Sequence, residues 1–152
     1  MKSYNKIIFV GESGTCRAPM AAGILKDIAR RKNIEILSRG LVVLFPEPLN
    51  QKAEAVMISN GLSTEGYVSC ALSAEDLQGE PLVLVMENRQ RQKVLELLPE
   101  EDPEDEQVLT EFVGDELEIV DPYGGALQLY GLCYETLLSS VGKLANLLDG
   151  GE

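Results

Sequence analysis

The sequence contains no histidine, and that absence removes several chemistries at once. The run Gly11-Glu12-Ser13-Gly14 superficially resembles a serine-hydrolase elbow, but a Ser-His triad has no base to draw on. The three cysteines, Cys16, Cys70 and Cys133, are odd in number and widely spaced, which fits neither a disulfide framework nor a zinc pattern. Reduced thiols are expected. No apolar run approaches the ~20 residues of a membrane span. The N-terminus opens directly on a strand rather than on an apolar signal segment. The expectation is a cytoplasmic protein without membrane contact. No Gly-Lys-Ser/Thr closes a nucleotide loop, and no cofactor or metal motif is expected.

Basic charge is also scarce, with 13 Lys and Arg against 25 Asp and Glu and a net charge of −12. Nucleic acid is an improbable partner for such a chain. The charge is unevenly spread: up to Lys52 there are nine basic and four acidic residues, and beyond it four and twenty-one. The positive part therefore suits a local anion site inside an acidic protein. At 152 residues with 45% hydrophobic content, the chain is expected to form one domain over 1–152.

What is present is organised around one stretch, Ile7 to Met20. Four apolar residues, Ile7 to Val10, read as a buried parallel strand. A loop of small residues follows, and Pro19 then stands in the first turn of a helix over 18–31 whose Met20, Ile24, Leu25 and Ile28 share a face. Strand, glycine loop and helix aim several backbone N–H groups and a positive helix end at one point. Arg17 adds a fork of donors suited to phosphate oxygens.

The remaining pattern alternates strands and helices. Strands are expected at 6–10, 34–38, 81–86 and 108–113, and a helix capped by Asn50 reaches about Asn60 before Gly61. Ser73 opens a short capped turn, and a helix spans about Asn88 to Leu98. The carboxylate-rich run 99–107 reads as a solvated loop, and its spacing lacks the register of a calcium loop. A long amphipathic helix over 124–148 closes the core. The expected architecture is a three-layer α/β fold, a four-stranded parallel sheet with helices on both faces.

The Cys16-Arg17-Ala18-Pro19-Met20 stretch, followed some hundred residues later by Asp121-Pro122-Tyr123, resembles the low-molecular-weight protein tyrosine phosphatases over essentially the whole chain. That resemblance implies the strand order 2-1-3-4 and a phosphate-binding loop formed by Glu12, Ser13, Gly14, Thr15, Cys16 and Arg17. It implies a general-acid role for Asp121 and cleft walls at Phe45 and Tyr123. Phe45 is equally readable as a core plug. The resemblance also places Gly11 where the family carries its nucleophilic cysteine, while Cys16 matches a second loop cysteine that is not the nucleophile. Further departures accompany this one: Ser13, Gly14 and Ala18 replace the loop's glycine, asparagine and serine, Tyr67 and Cys70 replace a histidine and an arginine, and Glu87 replaces an aspartate. The arsenate reductases of this fold also use the cysteine that is missing here.

The reading is therefore a pseudophosphatase that binds phosphate or a phosphotyrosine protein without turnover. Two alternatives stay open: a weakly active phosphatase using Asp121 with Cys16 or water, and a structural interaction protein whose loop is vestigial. Glu12 sets a carboxylate beside the anion site, where Coulomb repulsion opposes a phosphate dianion.

Overall fold

The computed structural model describes residues 2–31 and 33–150. Two apolar runs, 7–10 and 82–85, make the centre of the sheet. β1 (Lys6–Gly11) lies between β2 (Glu35–Gly40) and β3 (Pro81–Val85), and β4 (Glu106–Val108) pairs outside β3. All pairings are parallel and the order is β2-β1-β3-β4, as the resemblance implied. Parallel strands need crossovers, and the helices that supply them cover both faces, which explains why the central strands are apolar throughout.

On one face Ile7, Phe9, Leu82 and Leu84 pack with Met20, Ile24 and Leu25 of α1 (Arg17–Ile28). Ala53 and Met57 of α2 (Gln51–Ser59) join them, as do Tyr130, Leu137, Val141 and Leu144 of α5 (Leu127–Leu148). On the other face Ile8, Val10, Val83, Val85 and Val108 meet Val94 of α3 (Asn88–Leu97). Asn50 caps α2 through its side-chain oxygen, which accepts from the N–H groups of Lys52 and Ala53, and Gly61 follows the helix at φ +80°. The short turn after Ser73 forms as a 3-10 helix with a capping box.

Two expectations fail at the sheet's edge. The strand expected at 108–113 is largely a helix, α4 (Leu109–Val113), closed by Gly114 in the left-handed region at φ +85°. Val108, Phe112 and Val113 gave the segment a strand-like composition, but Leu109 and Thr110 both bury on a helical turn that packs on α5. The edge strand lies earlier, inside the acidic run expected to be solvated, and Glu106 is 1% exposed. Helix boundaries also shift, with α1 ending at Ile28 rather than 31 and α5 beginning at Leu127 rather than 124. Among the described residues no helix is long and apolar enough to cross a membrane.

Candidate functional site

β1 delivers the chain to the C-terminal edge of the sheet, between β2 and β3, where the topology reverses and a crevice opens. The loop 12–16 fills that point, and its carbonyls are turned outward into the scaffold. Gly11 O accepts from Leu41 N at 3.0 Å, and Glu12 O accepts from Leu41 N and Val42 N at 2.9 Å each. Thr15 O accepts from Asn50 N at 2.9 Å, and Gly14 O accepts from the Tyr67 hydroxyl at 2.5 Å. In a trans peptide the N–H opposes its C=O, so the amides of Glu12, Ser13 and Cys16 point away from those partners, while that of Thr15 is taken by Ser13 Oγ. A run of amides turned to one side is a cradle for negative charge.

The loop closes tightly. Gly14 has φ +73°, a conformation that side chains rarely adopt, and a Cβ on Gly40 would lie 2.7 Å from the Ser13 carbonyl oxygen. The Ser13 and Thr15 hydroxyls hydrogen-bond each other at 2.7 Å, and Thr15 N donates to Ser13 Oγ at 3.3 Å. The Tyr67 hydroxyl joins Ser38 Oγ at 2.9 Å and donates to the Gly14 carbonyl. Cys70 is exposed, and its thiol reaches the neighbouring Ala71 carbonyl at 3.7 Å.

Gly11 lies at the loop's floor. A Cβ there would meet only Ala18 Cβ at 3.6 Å and Ala18 N at 3.7 Å, ordinary contacts at the mouth of α1. There is room for a side chain, and the residue provides none. Cys16 does not substitute for it. Its thiol is held up to about 12 by burial, reinforced by Cys133 and Asp121 and only partly offset by Arg17. A thiol so far above neutrality is not a nucleophile. Cys133 is likewise pushed up to about 11 by burial, and the three cysteines are free.

Arg17 is 4% exposed and already engaged. Its Nη1 donates to the Ile119 carbonyl at 2.7 Å and pairs with Glu87 Oε2 at 2.7 Å, while Nη2 stands 3.8 Å from Asp121 Oδ2. Burial opposes ionisation of Glu87, yet the hydrogen bond and charge of Arg17, with Arg89 behind, hold its carboxyl below the usual carboxylate value. Glu12 turns away from the cradle. Arg89 Nη1 lies 3.4 Å from its Oε1 and Lys93 Nζ 3.5 Å from its Oε2, both on α3. Arg89 also bonds Glu87 Oε1 at 3.2 Å, so one line of alternating charges runs from Asp121 through Arg17, Glu87 and Arg89 to Glu12.

The segment bearing Asp121 reaches the loop past the C-terminal end of β3. Ile119 is fully buried and its N–H donates to the Met86 carbonyl at 3.2 Å, which fixes where Asp121 emerges. Asp121 Oδ1 accepts from Tyr123 N at 3.0 Å, leaving Oδ2 toward the crevice. Lys52 Nζ donates to the Gly125 carbonyl at 2.6 Å and ties this turn to α2. Phe45 is 66% exposed and Tyr123 82%, so the core-plug reading of Phe45 is excluded. Sequence reading brought out Arg17, Asp121 and the loop but missed the Glu87 clamp, although Met86-Glu87 stood in a recognised motif position.

A parallel sheet with an amide-lined loop at its switch point, an arginine at the following helix and an aspartate facing it defines a phosphatase-type α/β protein. Residues 6–151 match the family model for low molecular weight phosphotyrosine protein phosphatase, and the chain belongs to that family. It is 31% identical over 139 residues to the low molecular weight protein-tyrosine-phosphatase PtpB of Staphylococcus haemolyticus, covering 91% of this chain and 96% of that one. Among solved structures, the low molecular weight protein tyrosine phosphatase of T. tengcongensis is 33% identical with a TM-score of 0.85, over 94% of this chain and 99% of its own. The YwlE arginine phosphatase of Geobacillus stearothermophilus is 28% identical with a TM-score of 0.87, over 96% and 94%.

Proposed function

We propose that this chain is a non-catalytic member of its family, a single phosphatase-like domain that engages a phosphorylated protein without hydrolysing it, in a cytoplasmic setting. The observation that carries this reading is Gly11. By the family resemblance it stands where the nucleophilic cysteine would be, at the end of β1, and the space there would admit a side chain that glycine does not provide. The other thiol of the loop is half-buried and pushed up to about 12 by desolvation, and the Ser13 and Thr15 hydroxyls are turned to one another. Asp121 remains beside Arg17 as a proton donor with no covalent step to serve. Direct attack by water would leave Asp121 to act as base with no second carboxyl to protonate the leaving group, since Glu12 is drawn outward by Arg89 and Lys93.

The proposed anion contacts are the amides of residues 12–17 and the Arg17 guanidinium, with Phe45 and Tyr123 as exposed cleft walls. Binding competes with Glu87, so affinity for free phosphate is expected to be weak. Relatives named for protein tyrosine and for protein arginine phosphatases stand at similar identity, so either phosphorylated side chain suits the reading. The test is a titration of the ¹⁵N-labelled protein with phosphotyrosine and phosphoarginine. Shifts centred on the amides of Gly14 and Thr15, with the ligand intact afterwards, are expected. Hydrolysis that disappears in Asp121→Ala would overturn the proposal.

A further inference from the structure

At the opposite edge of the sheet from the loop, where β3 and β4 begin, lies a cavity of about 360 Å³. Glu106 is one of its lining residues and is the most unusual acidic group in the molecule. It is 1% exposed, and neither carboxylate oxygen has a hydrogen-bond partner. Glu106 pairs in register with Val83, so the two side chains leave the same sheet face, and Val83 and Leu77 of that face also line the cavity. A buried carboxylate without a partner is costly, and proteins place a cation, a donor or a proton there.

The resident cations nearby are committed elsewhere. Arg91 Nε donates to the backbone carbonyl of Glu106 at 2.5 Å and Arg91 Nη2 to the Pro103 carbonyl at 3.0 Å, not to the carboxylate. Lys2, at the cavity wall, is paired with Asp102 at 3.1 Å and Asp105 at 3.0 Å. Tyr4 also donates to Asp105, at 2.9 Å. Glu80 and Glu101 add further negative charge to the lining, while Leu77, Pro81 and Val83 supply an apolar wall. Among the described residues no cluster suited to a metal ion is found, which leaves an organic cation as the complement.

We propose that this cavity binds a small organic cation with an aliphatic body, a primary alkylammonium, whose charged end pairs with Glu106 and whose methylenes lie on Leu77, Pro81 and Val83. The cation is either a free amine or a lysine side chain of a partner protein. Bound cation and proton exclude one another at Glu106, because burial, with Glu101, Asp105 and Asp102, pushes its carboxyl up to about 7 and Arg91 only partly offsets this. Affinity therefore rises with pH through neutrality.

The experiment is calorimetric titration of the full chain at low ionic strength with 1,4-diaminobutane and, separately, with N-acetyl-lysinamide. One-to-one saturable binding at pH 8 is expected, weakened several-fold at pH 6 and at least tenfold by Glu106→Gln. Lys2→Ala, which leaves Asp102 and Asp105 without their cation and so makes the cavity mouth more negative, tightens it and gives a readout independent of how Glu106→Gln folds. Saturation by diaminobutane assigns a free amine, and saturation by the lysine amide alone assigns a partner's side chain. Absence of saturable binding by both, or binding that neither substitution changes, overturns the proposal.

Discussion

Arg17 and Glu87 meet at 2.7 Å beneath the loop, and the same Arg17 nitrogen serves the Ile119 carbonyl at 2.7 Å. Glu87 thus takes the guanidinium edge from which a phosphate oxygen would receive a hydrogen bond. The loop's one arginine is neutralised from within. Glu87→Gln removes the charge but keeps an acceptor, so Arg17 becomes available to an external anion. Phosphate affinity is expected to rise about tenfold, equivalent to ~1.4 kcal/mol. Folding stability should fall by about 1–2 kcal/mol, because a buried charge loses its charged partner. Titration with phosphate and thermal unfolding of the same variant check both halves.

Tyr67 holds the loop from outside, through Ser38 and the Gly14 carbonyl. Tyr67→Phe leaves that carbonyl and the Ser38 hydroxyl short of a partner. A loss of ~1 kcal/mol follows, which for a chain of this size lowers Tm by about 2–4 °C. Amide exchange should speed at residues 14 and 15 and stay unchanged in β3. Uniform acceleration across the sheet would assign Tyr67 to general packing instead.

The cysteines should separate by reactivity. Cys16 at about 12 and Cys133 at about 11 are almost wholly protonated at pH 8, both chiefly through burial, whereas Cys70 is exposed. Iodoacetamide is expected to label Cys70 alone in the folded protein and all three after denaturation. Rapid labelling of Cys16 would reinstate it as a candidate nucleophile.

Glu106 links stability to pH. Its carboxyl lies near 7 in the folded chain because of burial and against 4.5 as the reference value, so the folded state holds the proton more tightly. The associated stability is fully present below about 4.5, declines as pH rises, and is lost above about 7. Glu106→Gln should therefore raise Tm by several degrees at pH 8 and change it little at pH 4.5. A gain of the same size at both pH values would mean that shape rather than charge is responsible.

The two inner strands were legible because each is a short apolar run, as a parallel sheet buried on both faces demands, and β2 at the edge was legible from its period-two alternation. The fourth was not. Its Glu106 lay inside a carboxylate run whose chemistry argued for solvent, while β-branched and aromatic residues just beyond it imitated a strand and folded as α4. In the candidate site, Gly11, Arg17 and Asp121 could be located by spacing within recognised motifs. The partners that decide their behaviour could not. Glu87 reaches Arg17, and Arg89 and Lys93 reach Glu12, only because α3 starts at the β3 edge beside the loop. The direction of the Glu12 side chain is a tertiary fact, set by two exposed ion pairs worth at most about 1 kcal/mol each.

The central claim is that Gly11 marks a nucleophile's position emptied of its thiol, and restoring the thiol tests it most directly. In Gly11→Cys the new sulfur would lie at the mouth of α1, beside Ala18 N, where the helix end favours thiolate. Thiolate attack on an aryl phosphate would form an S–P bond as the P–O bond breaks, with Asp121 giving its proton to the departing phenolate. Turnover of p-nitrophenyl phosphate is measured side by side for the natural chain, for Gly11→Cys, and for Gly11→Cys carrying Glu12→Leu, Ser13→Gly, Gly14→Asn and Ala18→Ser. The account predicts none for the natural chain, slow turnover for Gly11→Cys, faster turnover for the full set, and a trapped phosphocysteine once Asp121→Ala is added. Turnover by the natural chain that Asp121→Ala abolishes, or a folded but inert fully substituted loop, would contradict it.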